Sequence, residues 1–430
     1  MGHQAVSRHR QALWKWLTPG LGVKRWLALL MFGVVLLGLG IALVLVDLYR
    51  TQPLPQFVYA LTLRGLPSLI RAAVVGGVGT ACVIIGMIQI SRVVLAPFTR
   101  DGRPVVELVA DHRRRQRGPK VVAVGGGTGL PVLLRGLKPY TTNLTAVVTV
   151  ADDGGSSGRL RRELGVLPPG DFRDNIAALA DDESLMTQLF RYRFGEGGLE
   201  GHSLGNLFIT ALSEVTGSFE QALIESSRVL AIQGHVLPST LENVTLMADL
   251  REPETNGMRR VAGESTITEM VGVIERAFLL PDNPRAYPDS VRAILAADMI
   301  VLGPGSLFTS ILPNLLVPGI SQAIRASQAL KVYVCNVATQ HGETDDFDVS
   351  DHVRAIERHA GPGLFDMVLA NDRFPPLEDA NFDYVHVDWT SEQPRLVTAN
   401  LVDDRHPWRH NSERLADVLM HVFAEASRAS

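Results

Sequence analysis

Two glycine-rich turns, each directly behind an apolar strand, constrain this chain most. Gly125-Gly126-Gly127-Thr128-Gly129 follows residues 120–124, and Asp152-Asp153-Gly154-Gly155-Ser156-Ser157-Gly158 follows residues 144–150. A turn without side chains lets backbone N–H groups approach an anion closely, and the positive end of a helix expected from near Leu130 adds favourable charge. The first turn is a candidate phosphate cradle. The second stands where a nucleotide-binding sheet places ribose or metal carboxylates.

Further apolar, β-branched runs at residues 299–302, 331–334 and 367–369 alternate with helical stretches. That alternation predicts an α/β fold with a mainly parallel sheet covered on both faces. Apolar residues return every three or four positions in 176–179, 185–190, 204–212, 219–230 and 415–423, which supply the flanking helices. The stretch 156–292 is too long for a connection, so a helical insertion subdomain is expected beside the crevice.

The mean hydropathy, +0.13, is high for a purely soluble enzyme, and the excess lies near the N-terminus. Residues 26–46 and 72–90 are apolar runs, each long enough to cross a hydrocarbon core of roughly 30 Å. Lys24-Arg25 before the first run and Arg113-Arg114-Arg115 with Arg117 after the second place both ends on the cytoplasmic side. The organisation expected is an anchor over 1–95, a linker over 96–118 and a cytoplasmic nucleotide-binding domain over 119–430, held at the cell membrane by two spans. The net charge of −4 gives no field for nucleic acid, and Cys82 and Cys335 provide no disulfide framework.

The first turn matches a dinucleotide fingerprint at Gly125 and Gly127 but has Leu130 at the third position, and no Lys-Ser/Thr pair follows to make a Walker loop. An NAD-binding enzyme is thus conceivable, though no hydride-transfer partner is visible. In the second turn Asp152 or Asp153 could hold Mg²⁺ while Ser156, Ser157 and Arg159 meet phosphate oxygens. Pro169-Gly170-Asp171 opens a helix through Asn175, with aspartate capping expected for at least one residue. Gly201-His202-Ser203-Leu204-Gly205-Asn206 opens another, in which His202 is an acid, a base, a pocket donor or a structural histidine. Gly303-Pro304-Gly305-Ser306 behind the third strand suits a second anion contact, and Asn336 through Gln340 sits behind the fourth. Several loops on one sheet edge point to one shared pocket. Zinc hydrolysis and serine acyl transfer have no supporting spacing.

Together these strings, with Gly342-Glu343-Thr344 and Asp351-His352-Val353, resemble the bacterial YvcK-like gluconeogenesis factors within the larger CofD-like set related to 2-phospho-lactate transferase. The resemblance covers about residues 120–419. It implies a Rossmann-like domain that binds UDP-N-acetylglucosamine and links carbon supply to cell-wall precursor synthesis and cell shape, acting through a protein partner; a homo-oligomer is compatible with it. The related transferases instead use a nucleoside diphosphate donor with Mg²⁺. On this resemblance both glycine turns face a diphosphate, and Asn175, Asn206, Ser306 and Asn336 line the pocket. Arg409 of Arg409-His410-Asn411 corresponds to an arginine that holds the nucleotide sugar, and Tyr384 is the nearest match to a ligand-contacting tyrosine.

Overall fold

The structure, a computed structural model, describes residues 105–180, 184–252, 257–270, 272–377 and 382–429, with scattered positions between 32 and 87. The chain divides into two units, Met1–Arg114 and Arg115–Ser430. The first apolar N-terminal run, 26–46, lies mostly outside the described residues, as do parts of the second, 72–90. Their described positions, such as Phe32, Val35, Val78 and Ile85, are helical and exposed. Among the described residues no single helix is long and apolar enough to cross a membrane, so the expected transmembrane hairpin is not found there.

In chain order the elements are α1 (Val105–Gln116), β1 (Val121–Gly125), α2 (Gly129–Leu137), β2 (Leu144–Val148), α3 (Gly155–Leu164), α4 (Gly170–Leu179), α5 (Leu185–Arg191), α6 (Leu204–Thr216) and α7 (Phe219–Val229). They continue with β3 (His235–Pro238), β4 (Thr245–Arg251), β5 (Met258–Ala262), α8 (Glu264–Glu269), β6 (Val273–Leu280), α9 (Pro288–Leu295) and β7 (Met299–Leu302). A π-helical turn, Leu307–Ile311, leads into α10 (Leu312–Leu315) and α11 (Pro318–Ala326), then β8 (Leu330–Val334), α12 (Val349–Ala360), β9 (Met367–Asn371), β10 (Arg395–Ala399) and α13 (Ser412–Ala429).

Among the described residues seven strands form one sheet in the order β10-β9-β8-β7-β1-β2-β3, every pairing parallel. The α/β fold with a mainly parallel sheet is therefore as the sequence predicts. The central strands β1 and β7 are buried along their whole length, as strands covered by helices on both faces must be. Leu130, Leu133, Leu134 and Leu137 put one apolar stripe of α2 into that core at helical spacing. On its other side α2 meets α13 so closely that a Cβ at Gly136 would strike the Ser412 carbonyl. The chain leaves β1 toward β2 and β3, and later fills the opposite side with β7 through β10. The direction of winding thus reverses between β1 and β7, which is where open α/β sheets bind ligands, outside the carboxyl ends of the strands.

Two expectations change. The insertion is not purely helical, because β4, β5 and β6 form an antiparallel three-stranded sheet within it and β3 joins the main sheet. Nor is the second glycine turn only a turn. Gly155 already begins α3, so Ser156 and Ser157 lie in its first turn and Arg159 just beyond it.

Candidate nucleotide site

Because the strands are parallel and in register, the turns after β1, β7 and β8 arrive at one edge. They enclose a cavity of about 380 Å³. Thr128 and Gly129 come from the first turn, Gly305 and Ser306 from the turn after β7, and Asn336 from the turn after β8. Arg409 and His410 close the cavity from the C-terminal segment. Six residues singled out from sequence therefore share one space: Thr128, Gly129, Gly305, Ser306, Asn336 and Arg409.

The cavity exists because two turns touch without side chains between them. A Cβ at Gly129 would stand 2.5 Å from the Pro304 carbonyl oxygen and 3.0 Å from the Gly305 nitrogen, both backbone atoms that cannot swing away. Gly305 in turn packs against the Gly126 carbonyl. Gly127 (φ +59°) and Gly303 (φ +81°) take left-handed backbone that other residues rarely adopt. Gly125 and Gly303 are buried beneath the cavity; the Gly125 carbonyl accepts from Asn314 Nδ2 at 2.9 Å.

Behind the cavity runs a polar chain. Ser306 Oγ donates to Gln340 Oε1 (2.6 Å), and Gln340 Nε2 donates to Glu343 Oε1 (2.9 Å), which also accepts from Thr309 Oγ1 (2.9 Å). Burial pushes the Glu343 carboxyl up to about 7, opposed by the Thr309 hydroxyl. His410 contacts the Cys335 carbonyl oxygen through Nε2 (3.2 Å), and burial lowers its pKa to about 4. The ring is thus neutral near pH 7, with Nε2 as donor and Nδ1 as acceptor. The Arg409 guanidinium is exposed and has no hydrogen-bond or ion-pair partner among the described residues.

The remaining candidates form a second polar group over β1 and β2. Asp171 does not cap α4, whose N-cap Pro169 has no side-chain bond. Its carboxylate instead lies against Gly126 and accepts from the Gly127 amide. The oxygen held by that part of the glycine turn is therefore the protein's own, and the start of α2 at Thr128 and Gly129 is what faces the cavity. Burial first, and then the charge of Asp152, pushes the Asp171 carboxyl up to about 7. Glu264 is likewise raised, by burial and then by Asp171, and its Oε2 is buried without a partner. Asn175 is fully buried, donating to the Asp171 carbonyl oxygen at 2.7 Å.

Asp153 accepts from both the amide and the hydroxyl of Ser265, each at 2.9 Å, which fixes the start of α8. Asp152 accepts from the Gly154 amide (2.9 Å), and Ser157 Oγ accepts from the Gly170 amide (3.0 Å). Ser156 Oγ lies 2.9 Å from His202 Nδ1 and accepts from Asn206 Nδ2 (3.0 Å). Burial and then Arg159 lower the His202 pKa. Arg159 itself donates to the Glu200 carbonyl oxygen at 2.7 Å. Among the described residues no group of three or more His, Cys, Asp or Glu is arranged to hold a metal ion. Asp152 and Asp153 are thus both engaged by the protein's own donors, the Gly154 amide and Ser265.

Sequence reading missed the aromatic pair at the cavity rim. Phe382 and Trp408 stack with centroids 5.1 Å apart and planes 5° from parallel, and both line the cavity. Tyr384 lies outside it, its hydroxyl donating to the Pro375 carbonyl oxygen at 2.7 Å. The two rings come from separate irregular segments, so no periodicity announces them. A signal existed only in the aromatic neighbours of Arg409 and of Tyr384.

Residues 121–426 match the family described as 2-phospho-L-lactate transferase CofD. A relative from Nostoc sp. is 45% identical over 446 aligned residues, spanning 98% of this chain and 96% of its own. The gluconeogenesis factor of Bacillus subtilis is 44% identical over 318 residues, covering 71% of this chain and 99% of its own. A crystal structure of a UPF0052 family member from Bacillus halodurans superposes with a TM-score of 0.65 at 43% identity, over 71% of this chain and 99% of that one. This chain belongs to the CofD-like family, among the homologues of the bacterial gluconeogenesis factors.

Proposed function

We propose that this protein is a regulator that binds a nucleotide sugar, UDP-N-acetylglucosamine, and acts through a protein partner to link carbon metabolism with cell-wall precursor synthesis and cell shape. The observation that carries the reading is the single cavity at the reversal point between β1 and β7, with a helix start, a cation and an aromatic platform around it. The start of α2 and Arg409 suit a diphosphate, the Phe382–Trp408 pair suits a stacked base, and Ser306, Asn336 and the His410 acceptor suit sugar hydroxyls. A binder needs these groups but no general base. Calorimetric titration with UDP-N-acetylglucosamine, GDP and NAD, each with and without Mg²⁺, tests it. The expected result is a metal-independent preference for the UDP-sugar, and preference for NAD contradicts it.

A second reading, a 2-phospho-L-lactate transferase-like enzyme, is favoured by the family description and by the buried acids Asp152, Asp171 and Glu264. Mg²⁺-dependent binding of GDP in the same titration selects it. Arg409→Ala is expected to weaken UDP-sugar binding by about 1.5–3 kcal/mol, the range for a hydrogen bond to a charged group. An unchanged affinity removes Arg409 from the site.

The N-terminal unit is proposed to tether the domain to the cell membrane through spans near 26–46 and 72–90. The Bacillus subtilis relative aligns almost completely yet covers only 71% of this chain, so the proposed tether would lie in sequence additional to the domain shared with that relative. The full chain should sediment with membranes after a high-salt wash, and a truncated chain starting near Arg117 should not. Retention of the truncated chain contradicts the tether.

A further inference from the structure

A second groove, of about 990 Å³, adjoins the nucleotide cavity and shares Thr339 and Phe382 with it as a common wall. Its aromatic lining includes Phe374, which is 41% exposed and packs edge-on to Tyr384 at 5.3 Å. Phe374 also lies tilted against His386 at 4.9 Å. With the Tyr384 hydroxyl taken by Pro375, the groove offers ring surface and little hydroxyl chemistry.

Four carboxylates line the same groove, Asp346, Asp348, Asp383 and Asp388, and no Lys or Arg lines it among the described residues. They come from two stretches of chain: Asp346 and Asp348 lead into α12, while Asp383 and Asp388 follow Phe382. Asp348 caps α12 by accepting from the Asp351 amide at 2.8 Å, and Asp388 accepts from the Ser350 hydroxyl at 2.5 Å. The carboxylates of Asp346 and Asp383 have no hydrogen-bond or ion-pair partner among the described residues. Burial, and to a lesser degree the hydrogen bond to the neighbouring Asp388 carboxyl, raises Asp348 above its ordinary value.

Like charges gathered in a concave wall focus a field that attracts cations, and aromatic faces attract cations as well. A groove of about 990 Å³ is far larger than one compact cation needs. A chain carrying several cations meets both stretches, and its methylene stems can cover the exposed rings. We infer that this groove docks an extended basic segment of a partner protein, with Lys or Arg side chains meeting Asp346, Asp348, Asp383 and Asp388 and their stems lying on Phe374. The inference is independent of which nucleotide the neighbouring cavity takes, because the docking is read without any nucleotide present.

The test uses the full-length protein and fluorescence anisotropy of a labelled nine-residue peptide alternating Arg and Gly, with a Glu-for-Arg peptide as control. Asp346→Asn with Asp383→Asn removes the two charges that have no partner among the described residues. Asn tolerates the left-handed backbone at Asp346 (φ +60°), so the fold and melting temperature should be retained. Glu200→Gln with Glu214→Gln removes two exposed charges elsewhere. The Arg peptide is expected to bind, to lose on the order of 10-fold or more in affinity in the Asp346/Asp383 pair, and to be unaffected by the Glu200/Glu214 pair. Phe374→Ala should weaken it several-fold as an independent reading of the ring contact. The inference is overturned if the Arg peptide does not bind, if the Glu control binds equally, or if both charge pairs give the same loss. It is also overturned if spermine at the peptide's own concentration displaces it fully, which would make the occupant a small polyamine.

Discussion

Phe172→Ala is expected to lower the stability of the nucleotide-binding unit by about 3–5 kcal/mol, the usual range for emptying a fully buried phenylalanine site. Phe172 is 0% exposed and meets Phe219 edge-on with ring centroids 5.1 Å apart, so its ring joins α4 to α7. The same helix α4 presents Asp171 to the glycine turn and Arg173 to Ser203 (2.8 Å) and Asn206 (3.3 Å). Loosening it therefore reaches the site as well as the core. Thermal denaturation should show a melting temperature lower by several degrees together with weaker nucleotide binding. A melting temperature within about 2 °C of wild type contradicts the packing account.

Asp171→Asn is expected to stabilise the protein at pH 8 and to change little at or below pH 4. The Asp171 carboxyl, pushed up to about 7 by burial and Asp152, keeps its proton in the folded chain where an ordinary aspartate has lost it. Between about pH 4 and pH 7 the folded state holds more protons than the unfolded state, so stability falls as pH rises through that window and the loss is complete above it. At about 1.36 kcal/mol for each pH unit of that interval, the ceiling is about 4 kcal/mol. The Arg173 charge and the solvent that Asp171 still touches reduce the effect below that ceiling. Asparagine keeps an oxygen for the Gly127 amide and removes the charge that repels Asp152. Melting curves at the two pH values, without nucleotide, check the sign. A variant that gains nothing at pH 8, or gains equally at both, contradicts the proposed protonation.

Much of the sheet was legible because parallel strands covered on both faces must be apolar throughout. β1, β2, β7, β8 and β9 announce themselves in that way. β3 escaped notice because it is only four residues long and ends in Pro238, a residue that cannot donate to a ladder. β10 is an edge strand with Arg395 exposed and its other residues at best half-buried, so it lacks the continuous apolar signal. In β4 the alternating burial of Thr245–Arg251 is the pattern of a strand with one wet face, and the surrounding helical periodicity obscured it.

The site was legible where chemistry sits on strand ends, and illegible where it depends on tertiary meetings. Gly129 and Gly305 are readable as turns, but that the two turns touch each other follows only from the adjacency of β1 and β7. Asp171 reads locally as a cap, yet its partner is an amide 44 positions earlier, which no local rule supplies. The Phe382–Trp408 stack joins two loops whose aromatic residues have no spacing to betray them. The acids of the second polar group read as ligands, whereas Asp153 is committed to Ser265 across the insertion.

The central claim is that the turns behind β1, β7 and β8 hold one nucleotide at the reversal point of the sheet. A crystal structure of the protein with UDP-N-acetylglucosamine tests it most directly. The diphosphate is predicted at the start of α2, between Gly129 and Gly305 and within reach of Arg409, with the base on the Phe382–Trp408 pair. Ligand density in a different cavity, with this one left to solvent, would contradict the account.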